Sequence, residues 1–246
     1  MPTRRVILAF AALALSRAAA GQTPARATSD NGAVWLTYTG VHPLTPTSPW
    51  RLHLEGQIRQ SPGVAEPQGR LFRTALLHRL GASASAGAGY AFFRSYPYGG
   101  FSTAPSADEH RAYEQLELRH ATGALRWSHR YRLEQRWQEQ VATGGWKYSN
   151  RIRYQLRSTF QRHANTVRQP YASVYDELFV AFGRNVTGNV FDQNRAFAGV
   201  GYRWGDAFRM ETGYMNQYVL RPSGREAERN HTLMLAFASD APLFGR

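Results

Sequence analysis

The sequence contains no cysteine, which excludes disulfides, thiolate metal centres and a lipid-modified cysteine together. An oxidising compartment is compatible with that absence. Lysine is almost missing as well: Lys147 stands alone, so the other 29 of the 30 basic residues are arginine. Beyond the N-terminus no segment reaches the roughly 20 apolar residues of a membrane-spanning helix. Arg, Glu, Gln or His interrupts every apolar stretch. The chain is therefore either soluble or crosses a membrane with strands.

At the N-terminus Arg4 and Arg5 precede an apolar run from Val6 to Leu15, followed by Ala18, Ala19, Ala20 and Gly21. This pattern reads as a secretory signal peptide over residues 1–20, cut near Ala20, and its apolar core is too short for a permanent anchor. Residues 21–33 then form a flexible N-terminal segment and 34–246 a single domain. The remaining 226 residues (246 − 20) suffice for one large all-β fold. The net charge of +13 falls to +10 on cleavage, because Arg4, Arg5 and Arg17 leave and no acid does. Guanidinium, unlike ammonium, suits buried forked pairs with carboxylates, so an excess carried by arginine suits a packed polar interior.

The dominant pattern is strict alternation. From Leu125 to Gln138, Leu125, Trp127, His129, Tyr131, Leu133 and Trp137 share one face, and Arg126, Ser128, Arg130, Arg132, Glu134 and Arg136 the other. Period two is a strand. The next segment sets Trp146, Tyr148, Ile152, Tyr154, Leu156 and Phe160 against Lys147, Ser149, Arg151, Arg153, Gln155 and Arg157. Both exceed the five or six residues usual in globular strands. Residues 50–60 repeat it with Trp50, Leu52, Leu54 and Ile58 opposing Arg51, His53, Glu55, Gln57 and Arg59. Weaker alternation marks 70–79, 83–95, 109–120, 172–182, 193–204, 207–219 and 230–238. Short turns near Gly81, Gly123 and Gly205 alternate with longer links at 61–69, 96–108, 139–145, 183–192 and 220–229; only 161–171 is overlong for its side.

These features predict an all-β fold, a single antiparallel transmembrane β-barrel of about ten strands (twelve as the alternative). Short turns face the periplasm and longer loops the exterior. With ten strands the last ends on the short-turn side. Val34 to Val41, with Trp35, Leu36 and Tyr38, is a further strand-like piece that would make the count odd. It is left open whether it closes the barrel, plugs it or pairs with another strand.

In a soluble lipocalin-like protein the apolar face points inward, and in a membrane barrel outward. Trp50, Trp127, Trp137, Trp146 and Trp204 fall near strand ends on the apolar face, as a membrane-interface girdle requires. The polar face is rich in Arg, Glu and Gln, as a narrow barrel interior filled by long side chains would be. Arg130, Arg132 and Arg136 are expected to pair there with Glu134, Glu117, Glu177 or Glu211, and Arg111, Arg151, Arg153 and Arg195 to join the same network. The last strand, with His231, Leu233, Leu235 and Phe237 opposing Thr232, Met234 and Ala236, resembles the C-terminal signal read by the barrel-assembly machinery, although further residues follow it.

The chain also resembles domain-of-unknown-function family 2490, bacterial proteins expected in the outer membrane. The resemblance is carried by Arg111, Tyr113, Glu114 and Gln115; by Arg130, Arg132, Leu133, Glu134, Gln135 and Arg136; by Asn150, Arg151, Arg153 and Tyr154; by Glu177, Leu178 and Phe179; by Asp192, Gln193, Asn194 and Arg195; and by Gly213 and Tyr214. It covers roughly residues 34–238 and implies location and fold, with no activity attached.

Candidate chemistry is sparse. Arg130, Arg132, Glu134 and Arg136 fit a structural ion-pair ladder better than an anion-selective lining, since pairing alone explains their clustering. Asp192 to Arg195 reads as a turn stabilised by its own Asp and Asn side chains, with ligand binding at a loop mouth as the sharper alternative. The scattered histidines show no metal-ligand spacing. A membrane-embedded lipid hydrolase would need a Ser and a His on one face, and Ser128 and His129 fall on opposite faces. Arginines alternating along exported strands do not make a nucleic-acid surface. The sequence therefore points to an outer-membrane barrel of a Gram-negative bacterium, structural or of narrow-channel type, with no catalytic site, metal or cofactor. Its partners are membrane lipid, the assembly machinery and a small solute or anion. A soluble periplasmic binder and a lipid hydrolase are the alternatives.

Overall fold

The computed structural model describes residues 26–61, 66–101, 105–162 and 168–245. The signal-peptide reading of residues 1–20 and the flexible segment up to residue 25 lie outside them. Eleven strands follow one another: β1 (Ala27–Pro43), β2 (Trp50–Ser61), β3 (Glu66–Arg79), β4 (Ala84–Ser95), β5 (Ala107–Thr122), β6 (Leu125–Glu139), β7 (Trp146–Phe160), β8 (Arg168–Phe182), β9 (Phe191–Trp204), β10 (Phe208–Leu220) and β11 (Glu226–Ser239). Each is hydrogen-bonded to its sequence neighbours, and β1 pairs with β11 to close a barrel.

The ten alternating segments are β2 to β11. The eleventh strand is β1, so the expected counts of ten and twelve are both corrected. Residues 27–33, assigned to a flexible segment, are strand. Their sequence, Ala27 to Ala33, carries no large apolar residue and hence no visible period; alternation begins only at Val34. The segment Val34 to Val41 neither plugs nor doubles the sheet. It closes the sheet, pairing antiparallel with β2 (Leu36↔Ile58) and parallel with β11 (Leu36↔Leu235). Parallel closure follows from the odd count: successive antiparallel strands alternate direction, so the first and eleventh run the same way.

Connections after odd strands are 44–49, 80–83, 123–124, 161–167 and 205–207; those after even strands are 62–65, 96–106, 140–145, 183–190 and 221–225. The tightest, between β5 and β6, uses Gly123 at φ 60°, a left-handed conformation glycine adopts without strain. The short-turn rim also holds the end of β11, and the start of β1 lies at the opposite rim.

The two faces of the wall differ sharply. Outward residues include Leu36, Phe72, Ile152, Val174, Leu178, Val200 and Leu233, all exposed, whereas Glu134, Arg132, Glu177 and Arg73 point inward and are buried. The interior is not purely polar. Trp35, Phe197 and Met215 form one buried apolar cluster, and Tyr113 with Ala75 and Leu77 another. Inward glycines make room for these rings: a Cβ at Gly201 would collide with Tyr171, and one at Gly213 with Phe197.

Beyond β11 the tail returns across the parallel seam. Leu243 N donates to Pro43 O at 2.9 Å, Phe244 N to Leu44 O at 3.1 Å, and His42 Nδ1 to Ala241 O at 2.8 Å, while Asp240 pairs with Arg209 at 2.5 Å. Parallel pairing is slightly weaker per residue than antiparallel, so this clasp supports the weakest join in the ring. Deleting residues 240–246 is expected to lower stability by about 1–3 kcal/mol, three hydrogen bonds at roughly 1 kcal/mol each, read as a fall in the urea midpoint of the refolded protein.

Candidate functional site: a positively charged barrel interior

Period two gives every strand one inward row, and the ring of eleven turns those rows into a single lining. A chain of alternating charges runs through it. Glu109 accepts from Arg111 (2.8 Å) and Arg136 (2.5 Å); Arg136 lies 3.7 Å from Asp192, which accepts from Arg151 at 2.6 Å. Arg151 also donates to Glu134 (2.5 Å), and Glu134 accepts from Arg153 (2.7 Å). Arg153 donates to Glu177 (2.7 Å), which takes Arg130 at 2.9 Å and Arg195 at 3.8 Å. Separate pairs join Arg73 to Glu55, Arg119 to Glu117 and Arg157 to Glu211.

The residues expected in the network are therefore all inside the barrel, but the pairing differs from expectation. Only Arg130 with Glu177 is one of the anticipated pairs. Glu134 takes Arg151 and Arg153 from β7, because those are its cross-strand neighbour and the next inward residue, whereas Arg132 and Arg136 lie along its own strand. Arg136 uses Glu109 instead. Among the described residues Arg132 has no carboxylate partner: its Nε and Nη2 donate to Gln115 Oε1 at 3.1 and 2.5 Å. Glu55, Arg59, Arg73 and Glu109 belong to the interior and were not singled out, although their inward parity was readable within their strands.

Asp192 to Arg195 is a correction. These residues lie in β9, not in a turn. Asp192 and Arg195 face the interior pairs just described, Gln193 accepts from Gln217 at 2.6 Å, and Asn194 faces outward, donating to Asp176 at 3.0 Å. Two arginines inside the barrel hold the Asp192 carboxylate that a turn would have used for its own backbone.

Aromatic rings fill space between the guanidinium groups. Arg59 stacks 3.9 Å from the Trp35 ring, Arg195 lies over Phe179 at 4.8 Å, Arg153 over Phe179 at 4.5 Å, and Arg132 over Tyr113 at 4.6 Å. Such contacts stabilise desolvated cations by about 2 kcal/mol. Trp50 and Trp204 face outward at the short-turn rim, and Trp137 and Trp146 at the long-loop rim, all exposed. Trp127 is half-buried, stacked against His120 at 6.1 Å. Ser128 donates to Glu117 inside at 2.7 Å, while His129 lies outside, 3.0 Å from the Tyr154 hydroxyl.

Tyr98 and Gly100, in the β4–β5 connection, reach across the long-loop mouth to the opposite wall. Tyr98 donates to Glu228 at 2.7 Å, Asn230 donates to the Tyr98 hydroxyl at 3.3 Å, and Gly100 N donates to Ser29 Oγ at 3.2 Å. Burial, reinforced by the Glu228 carboxylate, raises the pKa of the Tyr98 phenol, so it stays a donor at neutral pH. Below this strap a cavity of about 860 Å³ extends from Tyr98 to Ser83, Ala121 and Asp240 at the short-turn rim. Fifteen arginines and seven carboxylates line it. Adding buried Glu134 still leaves the cations in excess by seven (15 − 8).

Fold and interior together define a closed eleven-stranded β-barrel with ion pairs buried inside and large apolar side chains exposed on its outer face. The chain belongs to the family described as protein of unknown function DUF2490, which matches residues 32–228. No curated protein and no solved structure matches it.

Proposed function

We propose that this chain is an outer-membrane β-barrel whose short turns face the periplasm, with a positively charged cavity open to that side and strapped across the long-loop mouth. One observation carries the reading: the wall is inverted relative to a soluble barrel. Large apolar residues such as Phe72, Ile152, Val174 and Val200 stand exposed on the outside, while ion pairs such as Glu134–Arg151 are buried inside. An apolar band of this extent is stable against hydrocarbon and aggregation-prone in water. Tryptophans at both rims support the same orientation, because an indole combines an apolar body with a polar N–H.

The strap and the ion-pair chain favour a barrel with an internal binding chamber over a wide pore. The lipocalin-like alternative requires its apolar face inward, opposite to the arrangement here. The hydrolase alternative gains no support from Ser128 and His129, which lie on opposite sides of the wall.

The test is the behaviour of the mature protein in solution. It is expected to need detergent or lipid to stay monomeric, and to migrate faster on a gel when unheated than when boiled. Free solubility as a monomer without detergent would overturn the membrane reading.

A further inference from the structure

We propose that the chamber binds a small oxyanion, a phosphate- or carboxylate-bearing solute, on the guanidinium of Arg132. This rests on the interior geometry and stands whichever medium surrounds the outer wall.

Arg132 is 2 % exposed and, like the buried Arg59 on Gln57, it reaches a glutamine and no carboxylate among the described residues. Its Nη1 is buried with no hydrogen-bond partner among the described residues, and the residue is part of the cavity lining. The charges acting most strongly on it are Arg73, Arg130 and Arg153, all of its own sign, and Arg153 is its direct cross-strand neighbour. Each of those three has a carboxylate of its own: Glu55, Glu177, and Glu134 with Glu177. A buried guanidinium without a counter-charge is strongly unfavourable, and like charges directly opposite on neighbouring strands add to that.

Two further features point to an anion from outside the chain. Arg51 Nε, Arg73 Nε and Arg195 Nε are also buried and unpartnered among the described residues, and these three arginines and Arg132 all belong to the lining of the same chamber. The cavity as a whole has the cationic excess already described, and low-dielectric walls concentrate its field on anions. A planar guanidinium with a free edge suits oxygen acceptors of carboxylate or phosphate in particular. Gln115, whose amide oxygen takes the other edge of Arg132, holds the group in place for that purpose.

The experiment is thermal unfolding of the full mature chain folded in detergent micelles, titrated separately with inorganic phosphate, succinate and, at matched ionic strength, sodium chloride. Phosphate or succinate is expected to raise the unfolding temperature saturably, by roughly 5–10 °C at a hundredfold excess over Kd. Chloride should give only the weak, unsaturating change of general screening. A response to phosphate alone, or to succinate alone, identifies which of the two groups the solute carries. Two variants make the site specific. Arg132→Gln removes the anchoring charge: the basal unfolding temperature should hold or rise, and the anion response should disappear. Gln115→Glu supplies the missing carboxylate from the neighbouring strand: basal stability should rise, and phosphate binding should weaken at least tenfold. If all three salts shift the wild type equally, or if Gln115→Glu binds phosphate as the wild type does, the proposal fails. A lower basal stability in Arg132→Gln with its anion response intact would assign Arg132 a purely structural role and overturn it equally.

Discussion

Replacing Glu134 with glutamine is expected to cost roughly 3–5 kcal/mol of folding stability, the range for removing one partner of a buried ion pair. Glu134 is 0 % exposed and accepts from two arginines at once, Arg151 on one oxygen and Arg153 on the other. The amide keeps the shape and offers one acceptor oxygen, but it sets an N–H₂ against a guanidinium and removes the negative charge that Arg151 and Arg153 share between β6 and β7. Arg151 and Arg153 keep Asp192 and Glu177 respectively, so collapse of the whole barrel is not expected. The comparison is Glu114→Gln on the outer face, where the carboxylate is exposed and accepts from Gln135 at 3.1 Å. That change loses one exposed hydrogen bond and, on a lipid face, also removes a costly charge, so it should destabilise by no more than about 1 kcal/mol. Urea midpoints of the two variants, refolded side by side, give the difference directly; equal midpoints would mean that the ion-pair chain does not hold the wall together.

The contrast between these two glutamates was half visible in the sequence. Alternation puts Glu134 with Arg132 and Arg136 on one face and Gln135 on the other, and this period fixes which side chains share the interior. It does not fix partners, because those depend on register. Arg151 reaches Glu134 only because Leu133 stands opposite Ile152 across β6 and β7, and no pattern within either strand encodes that offset. The same limit explains Asp192: read alone, an Asp-Gln-Asn run resembles a turn, and only the approach of Arg136 and Arg151 from other strands makes it an inward strand residue.

Residues without an apolar period were lost for a different reason. Ala27 to Ala33 lie at the long-loop rim, where both faces are polar. Asp30 there meets Arg229 at 3.2 Å and Asn31 donates to Asn230 at 3.1 Å. With no large apolar side chain, such a segment carries no alternation, and the first residues of β1 go unseen although Val34 to Val41 is legible. Trp35, Tyr113, Phe179 and Phe197 mislead in the opposite sense. They sit on the charged side of the wall because guanidinium planes stack on Trp35, Tyr113 and Phe179 and the Tyr175 ring stacks on Phe197, so polarity alone understates how the interior is packed.

The medium outside the wall can be read from a single residue. Val174 is 53 % exposed and lies near the middle of β8, six positions from Arg168 at the short-turn end. At about 3.3 Å per residue this is roughly 20 Å along the strand, too far for an arginine introduced there to reach the rim. If the outer wall faces hydrocarbon, Val174→Arg should cost about 2–4 kcal/mol. If it faces water, the same exposed substitution should fall within about 0.5 kcal/mol of neutral. Val190→Arg supplies the reference, since Val190 is just as exposed but lies in the β8–β9 connection, beyond the strands; it should be near neutral in either medium. Asp176, two positions from Val174 and also outward, does not weaken the test. Acids cost less than arginine on a lipid face, and both oxygens of this one accept from Asn194 at 3.0 Å. Unfolding free energies measured in lipid vesicles should therefore separate Val174→Arg from Val190→Arg by at least about 2 kcal/mol, and a difference near zero would place water against β8.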